Sequence, residues 1–167
     1  KEWICSHRLQ RSQLLTAEPV AMGEKRRFGM LKDCYIISKA IPNSTTVKAF
    51  LSTIQQSSAQ VLKKNSFLND LISYVKTVHD RGVFHGELHA ENVLVDTNNA
   101  LSFSLLDVGR ACFKKTPPLS FRRYELSRLL YSVMDACTHD EITGLIHTYT
   151  HQLLEPNGRE TFCKAVL

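Results

Sequence analysis

Residue types that can move protons and hold hard cations are concentrated in one short segment, His85-Gly86-Glu87-Leu88-His89-Ala90-Glu91-Asn92, followed by Leu105-Leu106-Asp107. Phosphoryl transfer from ATP needs magnesium to bridge phosphates, and magnesium takes carboxylate and amide oxygens. Asn92 and Asp107 are such donors, expected at the two ends of one strand hairpin. A carboxylate near an acceptor hydroxyl, here Glu87, can orient that hydroxyl and receive its proton. Gly86 and Gly109 would allow tight backbone geometry beside these groups. Asn and Asp are also common turn residues. It is the joint spacing of His85, Glu87, His89, Asn92 and Asp107 that gives the pattern its meaning. A zinc protease reading fails on order, since that site needs H-E-x-x-H on a helix and Gly86 disfavours helix.

The elements that must position these residues are legible as hydrophobic periodicity. Residues 1–14 carry Trp3, Ile4, Leu9 and Leu14 in a helical pattern. Pro19 and Gly23 punctuate the chain, and Cys34-Tyr35-Ile36-Ile37 is a short strand candidate. Pro42-Asn43-Ser44 marks a turn, and Thr45 is placed to cap a helix bearing Val47, Phe50, Leu51 and Ile54. A longer helix over about residues 61–80 shows Leu68, Leu71, Ile72, Val75, Val78 and His79 at helical spacing, stopped by Arg81-Gly82. Val93-Leu94-Val95 and Leu101 to Leu106 read as a hairpin about the polar turn Asp96 to Asn99. After Pro117-Pro118 the chain reads as helical, with Leu126, Leu129, Leu130, Val133, Met134 and Cys137 in one stripe. Thr138-x-x-Glu141 is a capping-box pattern ahead of Ile142, Leu145, Ile146, Tyr149 and Leu153, and a short helix is expected after Pro156-Asn157-Gly158.

Bulk properties bound the function. The length suits one domain, and 43% hydrophobic residues suffice for a core. No apolar run approaches the roughly 20 residues of a membrane span, and no signal peptide is evident. Five scattered cysteines without a C-x-x-C pair point to reduced thiols. The net charge of +5 gathers at Lys25-Arg26-Arg27, Lys114-Lys115 and Arg122-Arg123. The last two pairs are expected to flank an acceptor groove or to be solvated faces. Charge alone does not choose a partner.

The segment His85 to Asn92 resembles the catalytic loop of the protein-kinase superfamily, H-x-D-x-x-x-x-N, and Asp107-Val108-Gly109 resembles its D-F-G motif. Gly86 and His89 are closer to small-molecule kinases, where H-G-D-L-H is common. More specifically, five stretches resemble the lipopolysaccharide core kinases that phosphorylate heptose or Kdo sugars. These are Glu2-Trp3, His7-Arg8-Leu9, Tyr35-Ile36-Ile37-Ser38, Leu106-Asp107-x-x-Arg110-Ala111, and Arg122 through Glu125-Leu126-x-Arg128-Leu129-Leu130. The resemblance implies a kinase-like α+β fold, with residues 1–40 as a partial small lobe and 41–167 as a mostly helical large lobe. It implies ATP and Mg as cofactors, with Asn92 and Asp107 on the metal and Glu87 as base. His89 would lie near the transferring phosphate, and His85 would brace the loop against Asp107. Glu2 would belong to the helix whose Glu pairs with a phosphate-binding Lys. Ser38, Lys39 and Ala40 would read adenine as the hinge, with Leu94 flooring the base. The implied acceptor is an anionic sugar or glycolipid on the cytoplasmic face of the inner membrane, with peripheral membrane contact and no nucleic-acid partner.

Three departures from the pattern bear on activity. Glu87 replaces the usual Asp and moves the carboxylate out by one methylene; a misplacement near 1 Å can cost about 10²-fold in rate. The glycine-rich loop and strand Lys that grip ATP are expected upstream of Glu2, beyond the first residue. Gly86 stands where many protein kinases place the Arg that holds a phosphorylated activation loop. The rival readings are a pseudokinase that binds without chemistry, a kinase of the aminoglycoside or choline type, and an atypical kinase of RNA maturation.

Overall fold

In the computed structural model, residues 1–54, 59–96, 98, 102–151, 153–154 and 156–166 are described. Helix α1 (Glu2–Arg11) turns Cys5, Ser6 and Leu9 inward. The turn just past its end is held from far along the chain, because Arg81 Nη1 donates to Ser12 O at 2.9 Å and Gln13 O at 2.7 Å. A cation at a helix C-terminus also opposes the macrodipole.

Strands β1 (Pro19–Arg27) and β2 (Met30–Ser38) form an antiparallel hairpin. Strand β2 is longer than the sequence pattern predicts, and β1 runs through Pro19 and Gly23, which the sequence marks as punctuation and not as strand. Gly23 pairs with Tyr35, and a Cβ there would fall 2.3 Å from the tyrosine ring. That glycine is therefore a seat for an aromatic side chain and not a break.

A second, three-stranded sheet has the order β3-β5-β6, from β3 (Ser44–Thr46), β5 (Val93–Asp96) and β6 (Phe103–Leu105). The β5–β6 pair is the expected hairpin, antiparallel with Val93 opposite Leu105. Leu101, Thr97 and Asn99, which the sequence assigns to this hairpin and its turn, lie outside the described residues. Thr45 does not cap the helix that follows. It pairs with Val95 inside β3, and Thr46 Oγ1 accepts from Ala49 N at 3.1 Å at the start of α2 (Val47–Ile54). One residue of extended chain moved the cap, because β3 is claimed by its sheet partner.

The helical part comprises α3 (Ala59–Asp80), α4 (Leu119–Val133), α5 (His139–Thr150) and α6 (Pro156–Val166). Between α3 and α4 a two-stranded pair, β4 (Val83–Phe84) and β7 (Cys112–Phe113), closes the segment that carries the motif. The predicted stripes are buried together up to the helix ends. Met134, assigned to the α4 stripe, is 52% exposed in a 3-10 turn (Met134–Ala136) because α4 ends at Val133. Cys137 and Leu153, beyond the helices, are only half-buried. Leu68, Leu71, Ile72, Val75 and Val78 of α3 share one core with Leu126, Leu129 and Leu130 of α4, and with Ile142, Leu145 and Ile146 of α5. Leu9 of α1 and Val93, Val95 and Leu105 of the sheet belong to the same core. Each such Leu contributes roughly 1.5–3 kcal/mol by burial, against about 1 kcal/mol for a typical cap, and there are many of them. Packing of the stripes, then, sets the frame on which the loop is held.

The capping box of α5 forms as expected, with Thr138 Oγ1 accepting from Glu141 N at 3.2 Å and Glu141 Oε2 accepting from Thr138 N at 2.8 Å. Lys64 of α3 reaches the same carboxylate at 2.7 Å. Burial alone would raise the Glu141 pKa, but the hydrogen bonds from Lys64 and Thr138 prevail and hold it below its ordinary 4.5. Because the folded pKa is depressed, the stabilisation is complete above about 4.5 and fades as pH falls through the folded value. Glu141→Gln should cost about 1 kcal/mol at neutral pH and flatten the loss of stability on acidification. Urea unfolding at pH 7 and pH 4 checks both.

Candidate active site

The loop between β4 and β5 is held from beneath by one buried carboxylate. Glu125 of α4 is completely inaccessible to solvent. Its Oε2 accepts from His85 N at 3.0 Å, and its Oε1 accepts from Gly86 N at 2.7 Å. His79 Nε2 lies 3.0 Å from the same Oε2 and, facing a carboxylate, carries the proton. His79 Nδ1 then accepts from Tyr149 Oη at 2.5 Å. Burial pushes the Tyr149 phenol up to about 12, so it is the neutral donor this arrangement needs. The network Tyr149–His79–Glu125 thus ties α5, α3 and α4 to the first two residues of the motif.

His85 links the loop to the Asp107 segment. Its Nε2 donates to Leu106 O at 2.8 Å and its Nδ1 accepts from Glu87 N at 3.2 Å. This requires the neutral ring with the proton on Nε2, in keeping with burial, which lowers its pKa below 6.5. The expected bracing role is realised through the backbone carbonyl one residue before Asp107. Gly86 has φ +87°, and a Cβ there would lie 2.9 Å from Arg110 Cβ and 3.0 Å from Arg110 O. Glycine is required on both counts. Gly109 differs, since its added Cβ would meet Glu2 Cβ at an ordinary 3.6 Å. The unusual backbone sits instead at Asp107, in the left-handed region at φ 48° and ψ 51°.

The candidate residues converge around this link. Asn92 Nδ2 donates to Glu87 O at 3.0 Å, and Asn92 O accepts from Leu106 N at 2.9 Å, next to Asp107. Among the described residues, no hydrogen bond or ion pair engages the Asp107 carboxylate. Its Oδ1 and Glu2 Oε2 both lie 3.9 Å from the position a Gly109 Cβ would take, so α1 brings Glu2 beside the motif. Cys5 Sγ, donating to Ala111 O at 3.6 Å, helps dock that helix. The Glu87 carboxylate lies between two guanidiniums. Arg110 Nη1 makes a short contact with Oε1, and Arg128 Nη2 is 3.5 Å from Oε2.

His89 is half-buried beside a cavity of about 870 Å³ that is also lined by Lys48, Glu91, Arg123, Tyr124 and Arg128. Lys48 is paired with Glu91 at 3.0 Å. The basic pairs do not line this cavity as expected. Arg122 turns inward to Asp80 Oδ1 at 2.8 Å and to His79 O, and only Arg123 faces the cavity. Lys114 and Lys115 border a different hollow, with Arg8, Arg11 and Arg81. The cause is helical spacing, which sends neighbouring residues on α4 to different faces.

Ser38 ends β2, and Lys39 is fastened to Glu18 by Nζ at 2.7 Å and by its backbone N–H at 2.8 Å. Ala40 is exposed, and Leu94 is half-buried in β5 between Thr46 and Ser104. No hydrogen bond among the described residues joins these four to the loop. Sequence reasoning missed the parts played by Glu125, His79, Arg110 and Arg128. A signal existed for Glu125, since it stands at an inward position among Arg122, Leu126, Leu129 and Val133.

A mixed fold in which helix α1, a strand hairpin and a helical body surround an HGELHAEN loop and an Asp-Val-Gly turn defines a protein of the kinase-like class. The family model described as the lipopolysaccharide kinase (Kdo/WaaP) family matches residues 1–149, and the chain belongs to that family. A solved structure, "WaaP in complex with acyl carrier protein", is similar with a TM-score of 0.75 and 19% sequence identity, over 98% of this chain and 72% of that one. At that identity the likeness shows the fold. No curated protein matches.

Glu125→Gln should be severe, because whichever way the amide turns its N–H₂ must face either the Gly86 N–H or the His85 N–H and the His79 ring. We expect a loss of about 3 kcal/mol in urea unfolding. Faster amide exchange at His85 and Gly86 should accompany it.

Proposed function

We propose that this member of the lipopolysaccharide kinase family transfers the γ-phosphoryl group of ATP to a sugar hydroxyl of the lipopolysaccharide core. The observation that carries this reading is that Asn92 is hydrogen-bonded both to Glu87 O and to Leu106 N, while His85 bridges Glu87 N and Leu106 O, so that the Glu87 loop and the Asp107 turn are tied together. Those links support a reading in which the Glu87 carboxylate, the Asn92 amide oxygen and the Asp107 carboxylate act together.

The donor set fits magnesium. Asn92 spends its Nδ2 on Glu87 O, which leaves Oδ1 for a cation, and the Asp107 carboxylate has no hydrogen bond or ion pair among the described residues. Both are hard oxygen donors. Bound there, the ion would neutralise charge on the phosphates. Glu87 takes the acceptor proton on Oε2, the oxygen that Arg128 approaches at only 3.5 Å, while Arg110 keeps Oε1 fixed. His89 and Arg123 face the acceptor side and suit an anionic sugar or glycolipid. Ser38, Lys39 and Ala40 serve as the adenine hinge, Leu94 as the floor, and Glu2 as the carboxylate for a phosphate-binding Lys. Residues 1–40 form the small-lobe side and 41–167 the large lobe. The site works on the cytoplasmic face of the inner membrane, and no described helix is long and apolar enough to cross a bilayer.

One observation favours a second reading, a pseudokinase. Both oxygens of Glu87 are approached by guanidiniums, so an acceptor hydroxyl would have to share an oxygen with one of them. Three measurements on the full-length protein separate the two. Calorimetric titration with ATP should show magnesium-dependent binding that Asp107→Asn abolishes. Phosphate transfer to lipopolysaccharide should fall on the order of 10²-fold or more in kcat for Glu87→Gln, with KM little changed. Magnesium-dependent binding without turnover, unrescued by Glu87→Asp, would establish the pseudokinase instead.

A further inference from the structure

The turn joining β1 to β2 combines three features that no part of the proposed catalysis uses. Arg27 pairs with Met30, so Phe28 and Gly29 form a two-residue loop, and both have positive φ, 51° and 79°. Such loops favour Asn-Gly or Gly-Gly, since a bulky side chain is disfavoured in the left-handed region. A phenylalanine is nevertheless held there, 88% exposed, with Met30 at 70% and Leu31 at 51% beside it. This apolar tip is collared by Lys25, Arg26, Arg27 and Lys32, against only Glu24 and Asp33. The Arg27 guanidinium lies 5.4 Å from the Phe28 ring centre, and Arg26 is braced by Glu24 at 2.8 Å and by Gly29 O at 3.4 Å.

An exposed aromatic at a strained position, ringed by cations, matches the demands of a bilayer interface. The ring and thioether gain by entering the acyl boundary while the cations meet anionic headgroups. We infer that the β1–β2 tip, centred on Phe28, is a docking finger for an anionic phospholipid surface. Ser38 lies at the opposite end of β2, roughly 26 Å away at the rise of an extended strand. Contact at the tip therefore leaves the proposed hinge accessible. A second copy of the chain would be expected to pair along strand edges or a broad face, where Val20, Met22, Tyr35 and Ile37 are also exposed. The tip differs in its basic collar, which repels a like-charged copy and attracts an anionic surface.

Sedimentation of the full-length protein with vesicles tests this. One vesicle set is pure phosphatidylcholine and the other contains phosphatidylglycerol. Binding to the anionic vesicles is expected, weakening with salt. Phe28→Asn suits the turn better and removes the anchor. It should leave the thermal midpoint equal or higher and reduce partitioning on the order of tenfold or more. In a Trp3→Phe background, Phe28→Trp should shift its emission to the blue on adding anionic vesicles. The inference is overturned if the unmodified protein ignores anionic vesicles, or if Phe28→Asn with Met30→Asp binds them undiminished. It is equally overturned if light scattering shows that Phe28→Asn instead dissolves a dimer.

Discussion

The buried carboxylate of Glu125 is the interaction on which the rest of the site depends. A charge removed from water is costly unless its hydrogen-bonding capacity is filled. Here the His85 and Gly86 backbone groups and the His79 ring fill it. The same bonds answer the opposite problem, since two loop amides in a buried setting would otherwise lack acceptors. Carboxylate and loop are stable only together, and α4 is rigid because its leucines are in the core. Rigidity in the packed helices is in this way transmitted to a segment with no regular structure of its own.

From that anchor the remaining geometry follows by short steps. His85 reaches across to Leu106, and Asn92 joins both Glu87 and Leu106, so loop and Asp107 turn behave as one unit. Helix α1 is added through Cys5 and the small surface of Gly109. The acid at position 87 then has a particular meaning. A glutamate extends one methylene beyond an aspartate, and in this structure that carboxylate is held by guanidiniums of Arg110 and Arg128. Two guanidiniums on one carboxylate fix where its oxygens can lie.

The β1–β2 hairpin is built on a different economy from the helical body. Its residues are mostly exposed, and its order comes from the ladder and from the fit of Tyr35 over Gly23. Little apolar burial supports it, which makes large apolar side chains at its tip more notable than they would be over a core.

Much of this protein was determined by its sequence alone. Helical stripes, the Thr138–Glu141 box, the β5–β6 pairing and the motif from His85 to Asp107 are local patterns, expressed within a few residues by backbone periodicity and side-chain caps. The family itself is legible in those motifs. Other outcomes required the tertiary structure, because each depends on a partner far along the chain. Arg122 and Glu125 point inward because Asp80 and the loop amides wait there, 42 and about 40 residues away. Thr45 lost its cap to Val95, and Gly23 became a seat because Tyr35 crosses it. The hold on Glu87 comes from Arg110 and Arg128, 23 and 41 residues distant, and no local pattern announces which guanidinium a carboxylate will find. Periodicity tells which face of an element is buried; only packing tells which polar groups must meet inside it.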